Sequence, residues 1–372
     1  MKENPLIKVE ALGQSIWLDY IRRDLITGGE LQRLIDKDGL RGITSNPAIF
    51  EKAIVESNIY DKQIQDLALK KKKNTEIYEF ISQQDVQNAA DEFRVLYDHT
   101  NGKDGYVSLE VNPHLAHNTK ETIVEARRLW GALNRPNIFI KIPATLEGLP
   151  AIQQLISEGI NVNVTLIFGL PRYRQVAEAY ILGLEERVRQ GKSVKKIASV
   201  ASFFLSRIDS LLDPLLEKII ASGDKVEENA KEVHGQVAIS SAKAAYQIYK
   251  EIFGSTRFKI LAEHGASEQR LLWASTSNKN PNYSDIKYIE AIIGRDTVNT
   301  VPPKTIDAYR DHGKPESRLE LDVEKANQIL LALPKLGINI DKISQQLEDE
   351  GLEQFNKPFD KLMEAISTKS SL

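Results

Sequence analysis

The sequence predicts an α/β fold, a closed parallel (β/α)8 barrel of the TIM-barrel type with a C-terminal helical extension. Eight short apolar runs alternate with long amphipathic segments, as strands alternate with helical crossovers in such a barrel. The length of 372 residues suffices for one barrel with additions. A polar face also recurs along the strands. We therefore expect residues 1–372 to form a single domain, with the barrel at about 14–303 and the helical extension at about 304–372.

The eight predicted strands are short runs in which β-branched and aromatic residues are frequent. They lie at 15–20, 41–46, 106–111, 137–142, 160–168, 197–204, 270–276 and 296–302. The segments between them, such as 117–133 and 172–191, have amphipathic helical character, and the second ends at a glycine suited to a helix end. Residues 256–265 carry charges among their apolar positions, which favours the end of a helix over a further strand.

The composition is that of an ordinary globular protein. Its 49 basic and 52 acidic residues give a net charge of -3, so we expect no nucleic-acid partner. The absence of cysteine excludes disulfides, thiolate nucleophiles and cysteine metal sites. We find neither a signal-like start nor a run of about 18 apolar residues, and expect a cytoplasmic protein without a membrane partner. A monomer and a homodimer both stay open.

One face of several predicted strands is polar. Side chains two positions apart share a face of a strand, and parallel strands covered on both sides normally read as continuous apolar runs. In a barrel the polar face would point inward near the carboxyl ends of the strands, where such enzymes keep their chemistry. An antiparallel sheet with one wet face is the alternative, which the intervening helical segments disfavour. The polar positions include Asp19, Thr44, Asn46, Ser108, Glu110, Asn161, Asn163 and Thr165.

Lys141 lies at the centre of the apolar run "NIFIKIPAT", residues 137–145. It shares a strand face with Phe139, so its amine would enter the barrel interior together with Asp19 and Glu110. Burial disfavours the charged form of a lysine, and the neutral amine is a nucleophile that forms Schiff bases with carbonyl compounds. A structural lysine that snorkels from the strand end or pairs with Glu110 is the alternative.

Six motifs in order resemble the transaldolase family: "WLDY", "GITSNPAIF", "VSLEV", "IFIKIPAT", "NVTLIF" and "SFFLSRID". The resemblance runs from about residue 14 to residue 305, and "LLWASTSNKNP" and "DTVNTVPP" are similar to the extended bacterial type. The resemblance implies a (β/α)8 fold, no cofactor and no metal. It also implies sugar phosphate substrates and transfer of a dihydroxyacetone unit from a ketose phosphate to an aldose phosphate in the pentose phosphate pathway.

The resemblance assigns roles to individual residues. Lys141 matches the Schiff-base lysine, and Asp19 matches the carboxylate that handles the substrate hydroxyl proton during cleavage of the carbon–carbon bond. Glu110 and Thr165 match the pair that holds a water for proton transfer during imine formation. The residues matched to substrate binding are Thr44, Asn46, Asn163 and Ser202 for hydroxyl groups, and Arg207 for a phosphate.

One motif departs from the family pattern. Shorter members carry a second phosphate-binding arginine after the seventh strand, whereas this chain has "ASTSNKNP", in which Lys279 is the only cation. Lys279 is a candidate to substitute as a point charge, and a surface lysine is the alternative.

Other interpretations of the sequence are weaker. Glu110, His114 and His117 would share a face if they lay on one helix and could then bind a metal, although Pro113 disfavours that helix. "TGGEL" at 27–31 lacks the spacing of a phosphate-binding loop and is typical of a turn before a helix. A related Schiff-base aldolase would release the free ketone, and a barrel without catalysis would only bind a ligand. The "KKKK" run at 70–73 is typical of a solvated helix face or loop.

Overall fold

The computed structural model describes residues 4–223 and 226–371. Within these residues, eight parallel strands close into a barrel in chain order, and β8 pairs with β1. This confirms the predicted barrel and rules out the antiparallel sheet. The strands are β1 (Gln14–Asp19), β2 (Gly42–Thr44), β3 (Tyr106–Glu110), β4 (Ile138–Pro143), β5 (Val162–Ile167), β6 (Ser199–Phe204), β7 (Arg270–Ala274) and β8 (Thr297–Val301).

Helices occupy most of the chain between and after these strands. Those before β5 are α1 (Pro5–Ala11), α2 (Arg23–Thr27), α3 (Glu30–Asp38), α4 (Pro47–Val55), α5 (Asp61–Leu69), α6 (Asn74–Glu92), α7 (Arg94–His99), α8 (Thr119–Leu133) and α9 (Gly148–Glu158). Those between β5 and β8 are α10 (Leu170–Arg189), α11 (Ser206–Ser222), α12 (Glu227–Val233), α13 (Val237–Phe253), α14 (Thr256–Glu263) and α15 (Lys287–Ala291). After β8 come α16 (Pro303–His312), α17 (Val323–Ala332) and α18 (Ile340–Ser370), which confirm the helical extension; short 3-10 helices lie at Pro113–Leu115 and Leu333–Leu336.

Most predicted strands are one to three residues longer than the observed ones. Asn46 is the clearest correction, because it lies outside β2 and its Oδ1 accepts a hydrogen bond from the Ile49 backbone at 3.0 Å, which caps the start of α4. The 256–265 segment contains α14, as predicted, and 70–73 is an exposed loop between α5 and α6. "TGGEL" forms the turn between α2 and α3 and the start of α3.

An aromatic layer fills the barrel beneath the carboxyl ends of the strands. The rings of Tyr106 and Phe139 stack with centroids 4.3 Å apart, and Trp17 stacks on Phe139 at 6.0 Å. Gly42 is required beside them, since a Cβ there would lie 2.6 Å from the Trp17 ring. Asp19 and Lys141 lie two residues beyond Trp17 and Phe139 on the same strand faces, so this layer supports the polar layer above it.

Helix α18 crosses the mouth of the barrel. Near its start, the Ser344 hydroxyl donates to the Phe168 carbonyl, just after β5, at 3.2 Å. Near its end, the Lys369 ammonium donates to the Ser57 carbonyl, just after α4, at 2.9 Å. The helix packs along α4 between these points. The extension therefore covers the end of the barrel where the polar layer lies.

Among the helices of residues 4–223 and 226–371, none combines the length and the apolar character that crossing a bilayer requires.

Candidate active site

A cavity of about 150 Å³ opens at the carboxyl ends of the strands. Glu110 and Asn163 are not among the residues that line it, but Glu110 contacts Lys141 and Asn163 contacts Ser202, both of which do. The structure thus brings together predicted residues from seven strands or the segments that follow them. The predicted residues that line the cavity are Asp19, Thr44, Asn46, Lys141, Thr165, Ser202, Arg207 and Lys279.

Lys141 projects from β4 into this cavity and is only 4% exposed. Its Nζ donates to the Ser45 carbonyl at 3.2 Å and lies 3.4 Å from Glu110 Oε2. The Phe355 ring covers it, with the centroid 5.2 Å from Nζ. Lys141 therefore does not snorkel to solvent, but the pairing with Glu110, which is the other form of the structural alternative, is present.

Glu110 forms an ion pair with Lys141. It is paired with Lys141 in the register between β3 and β4 and is 6% exposed. Burial raises the pKa of Glu110 to about 7, and the Lys141 ammonium limits the rise. Neither carboxylate oxygen has a hydrogen-bond partner among the described residues. A carboxyl group with such a pKa can exchange protons near neutral pH.

Replacement of this carboxyl should be visible in stability as well as in catalysis. Because the pKa of Glu110 is higher in the folded protein than its ordinary 4.5, the folded state holds the proton more tightly. The wild type should then lose up to about 1.4 kcal/mol of unfolding free energy per pH unit as the pH rises between those two pKa values. Glu110→Gln does not titrate, so it should gain stability relative to wild type across that window. Urea denaturation of both proteins from about pH 5 to pH 8 measures this; a constant difference would contradict it.

Asp19 lies across the cavity at the end of β1. Its Oδ1 accepts a hydrogen bond from the Thr44 hydroxyl at 2.8 Å, and the Thr44 and Thr300 hydroxyls are 2.5 Å apart. Burial raises the pKa of Asp19. This rise is limited by the Lys141 ammonium, by the Thr44 hydrogen bond and by the charge of Arg207. The carboxylate is thus held in one orientation by its neighbour on β2.

Asn163 supports Ser202 from behind the cavity surface. The Ser202 hydroxyl donates to Asn163 Oδ1 at 2.7 Å, and Asn163 Nδ2 donates to the Ser108 hydroxyl at 3.1 Å. This chain of hydrogen bonds links β6, β5 and β3 across the barrel interior. Both polar ends of the Asn163 side chain are therefore engaged, and Ser202 is the member that lines the cavity.

Arg207 and Lys279 form the cationic side of the cavity. Arg207 lies in the first turn of α11, and its Nε and Nη1 have no hydrogen-bond partner among the described residues. Burial lowers the pKa of Arg207, while burial and then the nearby Arg207 charge lower the pKa of Lys279. Lys279 is exposed as a whole residue at the rim. Two neighbouring cations at a helix N-terminus are suited to an anion such as a phosphate group.

Two residues beside the cavity have left-handed backbone conformations, which residues other than glycine rarely adopt. Leu166, directly after Thr165, has φ 62°, and Ser275, directly after β7, has φ 54°. Such conformations cost of order 1 to 3 kcal/mol and cluster at functional sites. Hydrogen bonds hold the second in place, since the Ser206 backbone donates to the Ser275 carbonyl at 2.9 Å.

Sequence reasoning missed Phe355. It lies on α18 and is 3% exposed, with its ring over Lys141. Gly351, one turn earlier, allows a close approach, since a Cβ there would lie 2.9 Å from Leu166 and 3.6 Å from Arg207. We find no local signal in "EGLEQFNKPF" that could have placed these two residues at the mouth.

The metal interpretation does not match the observed arrangement. Pro113–Leu115 is a 3-10 helix, and the His114 and His117 rings contact Asp360 at 2.8 Å and Glu147 at 3.1 Å instead of facing Glu110. In the part of the chain that the structure describes, no three His, Asp or Glu side chains are grouped so that they could hold a metal ion.

Comparison with known proteins agrees with the fold over nearly the whole chain. A model of the family described as transaldolase/fructose-6-phosphate aldolase matches residues 16–366. The protein named transaldolase from Trichodesmium erythraeum is 50% identical, over 99% of this chain and 98% of its own. Transaldolase 2 of Nostoc punctiforme is 48% identical over 99% and 98%, and transaldolase of Frankia alni is 43% identical over 98% and 97%. The chain therefore belongs to the transaldolase/fructose-6-phosphate aldolase family and is an enzyme of the transaldolase type.

Proposed function

We propose that the protein transfers a dihydroxyacetone unit between ketose and aldose phosphates through a Schiff base on Lys141. The reaction is that of sedoheptulose 7-phosphate with glyceraldehyde 3-phosphate to give erythrose 4-phosphate and fructose 6-phosphate, in the pentose phosphate pathway. The observation that carries the proposal is the buried lysine 3.4 Å from a carboxylate, in a cavity that also holds Arg207 and Lys279. A cytoplasmic location belongs to the same proposal.

Imine formation is the task of Lys141, Glu110 and Thr165. Lys141 passes a proton to Glu110, and the neutral amine adds to the ketone carbon of the donor. Glu110 then returns the proton to the carbinolamine hydroxyl, which leaves as water. The pKa of about 7 for Glu110 suits both directions of this transfer. Thr165 supports the step through its buried hydroxyl, which has no partner among the described residues.

Cleavage of the carbon–carbon bond is the task of Asp19. The Asp19 carboxylate takes the proton of the substrate hydroxyl as the aldose leaves, and returns it when the acceptor aldehyde is attacked. The hydrogen bond from Thr44 at 2.8 Å supports this role by holding the acceptor oxygen in place. The imine nitrogen takes up the electrons of the broken bond, so no cofactor is required.

Substrate hydroxyls are held by Thr44, Asn46 and Ser202 in this proposal, since all three line the cavity. Asn163, whose amide is engaged, contributes through the Ser202 hydroxyl that it orients. Phe355 closes the cavity from α18 and excludes water from the imine. We also propose that the barrel and the extension act as a single domain, because α18 forms part of the cavity wall.

The phosphate is proposed to bind Arg207 and Lys279. Remote binding energy positions the reacting carbon, so Arg207→Ala should lower kcat/KM steeply for erythrose 4-phosphate and little for erythrose. Lys279→Ala should give a smaller loss of about 1 kcal/mol that shrinks with added salt. Steady-state assays on both acceptors measure this. Arg257→Ala is the control, because Arg257 lies on the outer helix α14 and pairs with Glu178 and Glu185.

Two outcomes would change these assignments. Equal losses on the two acceptors for Arg207→Ala would mean that this arginine holds the fold rather than the phosphate. A Lys279→Ala variant with wild-type kinetics would mean that Lys279 is a surface lysine that does not bind the phosphate.

The deciding assay supplies fructose 6-phosphate with and without erythrose 4-phosphate. We expect sedoheptulose 7-phosphate and glyceraldehyde 3-phosphate with the acceptor, and little free dihydroxyacetone without it. Rapid release of dihydroxyacetone without the acceptor would favour the simple aldolase, which the family description also includes. If neither assay formed any product, a barrel that only binds a ligand would be favoured.

A further inference from the structure

A second cavity, of about 210 Å³, lies behind Glu110. It is bounded by the start of α4, by α6, α8 and α18, and by the end of β3 and the chain after it. It shares no lining residue with the active-site cavity. We call it the rear cavity. Its polar lining includes Thr75, Tyr78, Ser82, Glu110 and Glu125.

The rear cavity connects a buried end to an exposed end. At one end the Glu110 side chain is 2% exposed, whereas at the other end Thr75 is exposed and the Glu79 side chain is 30% exposed. Tyr78 is close enough to Glu110 that this carboxylate adds to the effect of burial in raising the pKa of the Tyr78 hydroxyl. Lining of this polarity and size can hold hydrogen-bonded water.

Glu110 lies between the two cavities. Its Oε2 is 3.4 Å from Lys141, which lines the active-site cavity, and Glu110 itself lines the rear cavity. On the active-site side, a sugar phosphate held by Arg207 and Lys279 as proposed would lie across the opening, beside Phe355. A small molecule released at Lys141 would have to pass the bound sugar phosphate to leave by that opening.

The proposed reaction, on which this inference rests, releases such a molecule. The amine of Lys141 forms a C–N bond with the ketone carbon, and the ketone oxygen becomes the carbinolamine hydroxyl. Glu110 donates its proton, the C–O bond breaks, and the products are the iminium ion, the Glu110 carboxylate and one water. The release of the new ketose reverses these steps and consumes one water.

We propose that the rear cavity takes up the water expelled at Lys141, exchanges it with solvent and supplies the water that later hydrolyses the imine. Glu110 is the group at which water enters and leaves. The reacting centre then exchanges water with solvent while a sugar phosphate still fills the mouth.

The test blocks the rear cavity in the folded protein. The wild type has no cysteine, so Ser82→Cys introduces a single thiol in the wall. Methyl methanethiosulfonate transfers its methylthio group to that thiol with loss of methanesulfinate, and dithiothreitol reverses the reaction. Thr75→Cys treated with benzyl methanethiosulfonate, which transfers a larger benzylthio group, plugs the exposed end. Wild type treated with either reagent is the control.

The readout is the origin of the product oxygen. The donor is fructose 6-phosphate labelled with ¹⁸O at C2, the acceptor is erythrose 4-phosphate, and mass spectrometry measures label in sedoheptulose 7-phosphate after subtraction of non-enzymatic exchange. The unblocked protein should give product oxygen derived from solvent. The blocked protein should retain the label several-fold more, and reduction should restore exchange. A merely structural effect of the methylthio group would slow turnover without changing the retained fraction.

The outcomes separate this inference from the function on which it rests. Unchanged retention in both blocked variants would overturn the rear cavity as a water route, as would failure of the thiol introduced by Ser82→Cys to react in the native protein. Borohydride trapping of the same samples is run in parallel. Absence of a Lys141 adduct in the wild type would instead overturn the proposed function.

Discussion

Lys141→Arg should abolish turnover and the covalent intermediate together. The guanidinium keeps the positive charge beside Glu110 but stays protonated at any accessible pH, so it cannot add to a carbonyl. Borohydride reduction in the presence of fructose 6-phosphate should add a dihydroxyacetone-sized mass to the wild-type peptide that contains Lys141 and to no peptide of the variant. Residual activity should fall to the background rate of the assay.

The matched control for this experiment is Lys243→Arg. Lys243 is also buried, at 8% exposure, but its Nζ donates to the Leu321 carbonyl away from the barrel mouth. The Lys243 variant should keep the adduct at Lys141 and its turnover. A label on Lys243, or on any lysine other than Lys141, would remove Lys141 from the proposed role.

Asp19→Asn and Glu110→Gln should each lower kcat by roughly 10²- to 10⁴-fold, the range for a positioned acid or base, but at different steps. Asp19→Asn should still form the trappable donor adduct, because Lys141 and Glu110 are unchanged. Glu110→Gln should slow adduct formation itself, because its amide cannot take a proton from Lys141, whose Nζ is 3.4 Å away. Borohydride quenching at successive times after mixing with the donor gives both rates.

Thr44→Val provides a third measurement on the same assignment. Removal of the hydroxyl that donates to Asp19 at 2.8 Å should affect turnover in the same direction as Asp19→Asn and leave adduct formation intact. If Asp19→Asn and Glu110→Gln both trapped the donor at the wild-type rate, the division of tasks between the two carboxylates would be wrong.

The fold class was predictable because its signals are local. Alternating short apolar runs and amphipathic segments predict strands and crossovers, and the closed barrel confirms them. The ends of the strands were less predictable. The alternation of side chains places Asn46 in a strand, although its side chain caps α4. The predicted strand 160–168 also includes Leu166, whose φ of 62° no regular strand residue adopts. Both depend on contacts that the alternation of side chains does not report.

The candidate site was partly predictable for the same reason. Lys141, Asp19 and Glu110 lie on strand faces whose direction follows from alternation, so their convergence could be expected. The positions of Phe355 and Gly351 could not be predicted, because the sequence of a helix near the end of the chain does not indicate which surface of the protein that helix will cover. The rear cavity is likewise a space between four helices and β3, and it exists only once they are packed.

By itself, the sequence determined which residues face the barrel interior, because the two-residue period of a strand and the twist of a closed sheet leave little freedom in direction. Only the tertiary structure decided the distances: the 3.4 Å between Lys141 and Glu110, and the 5.2 Å between Lys141 and the Phe355 ring. Such distances arise from the packing of segments far apart in the chain. That packing minimises the apolar surface exposed by the whole molecule, and a short stretch of sequence does not reveal which distant segments will cover it.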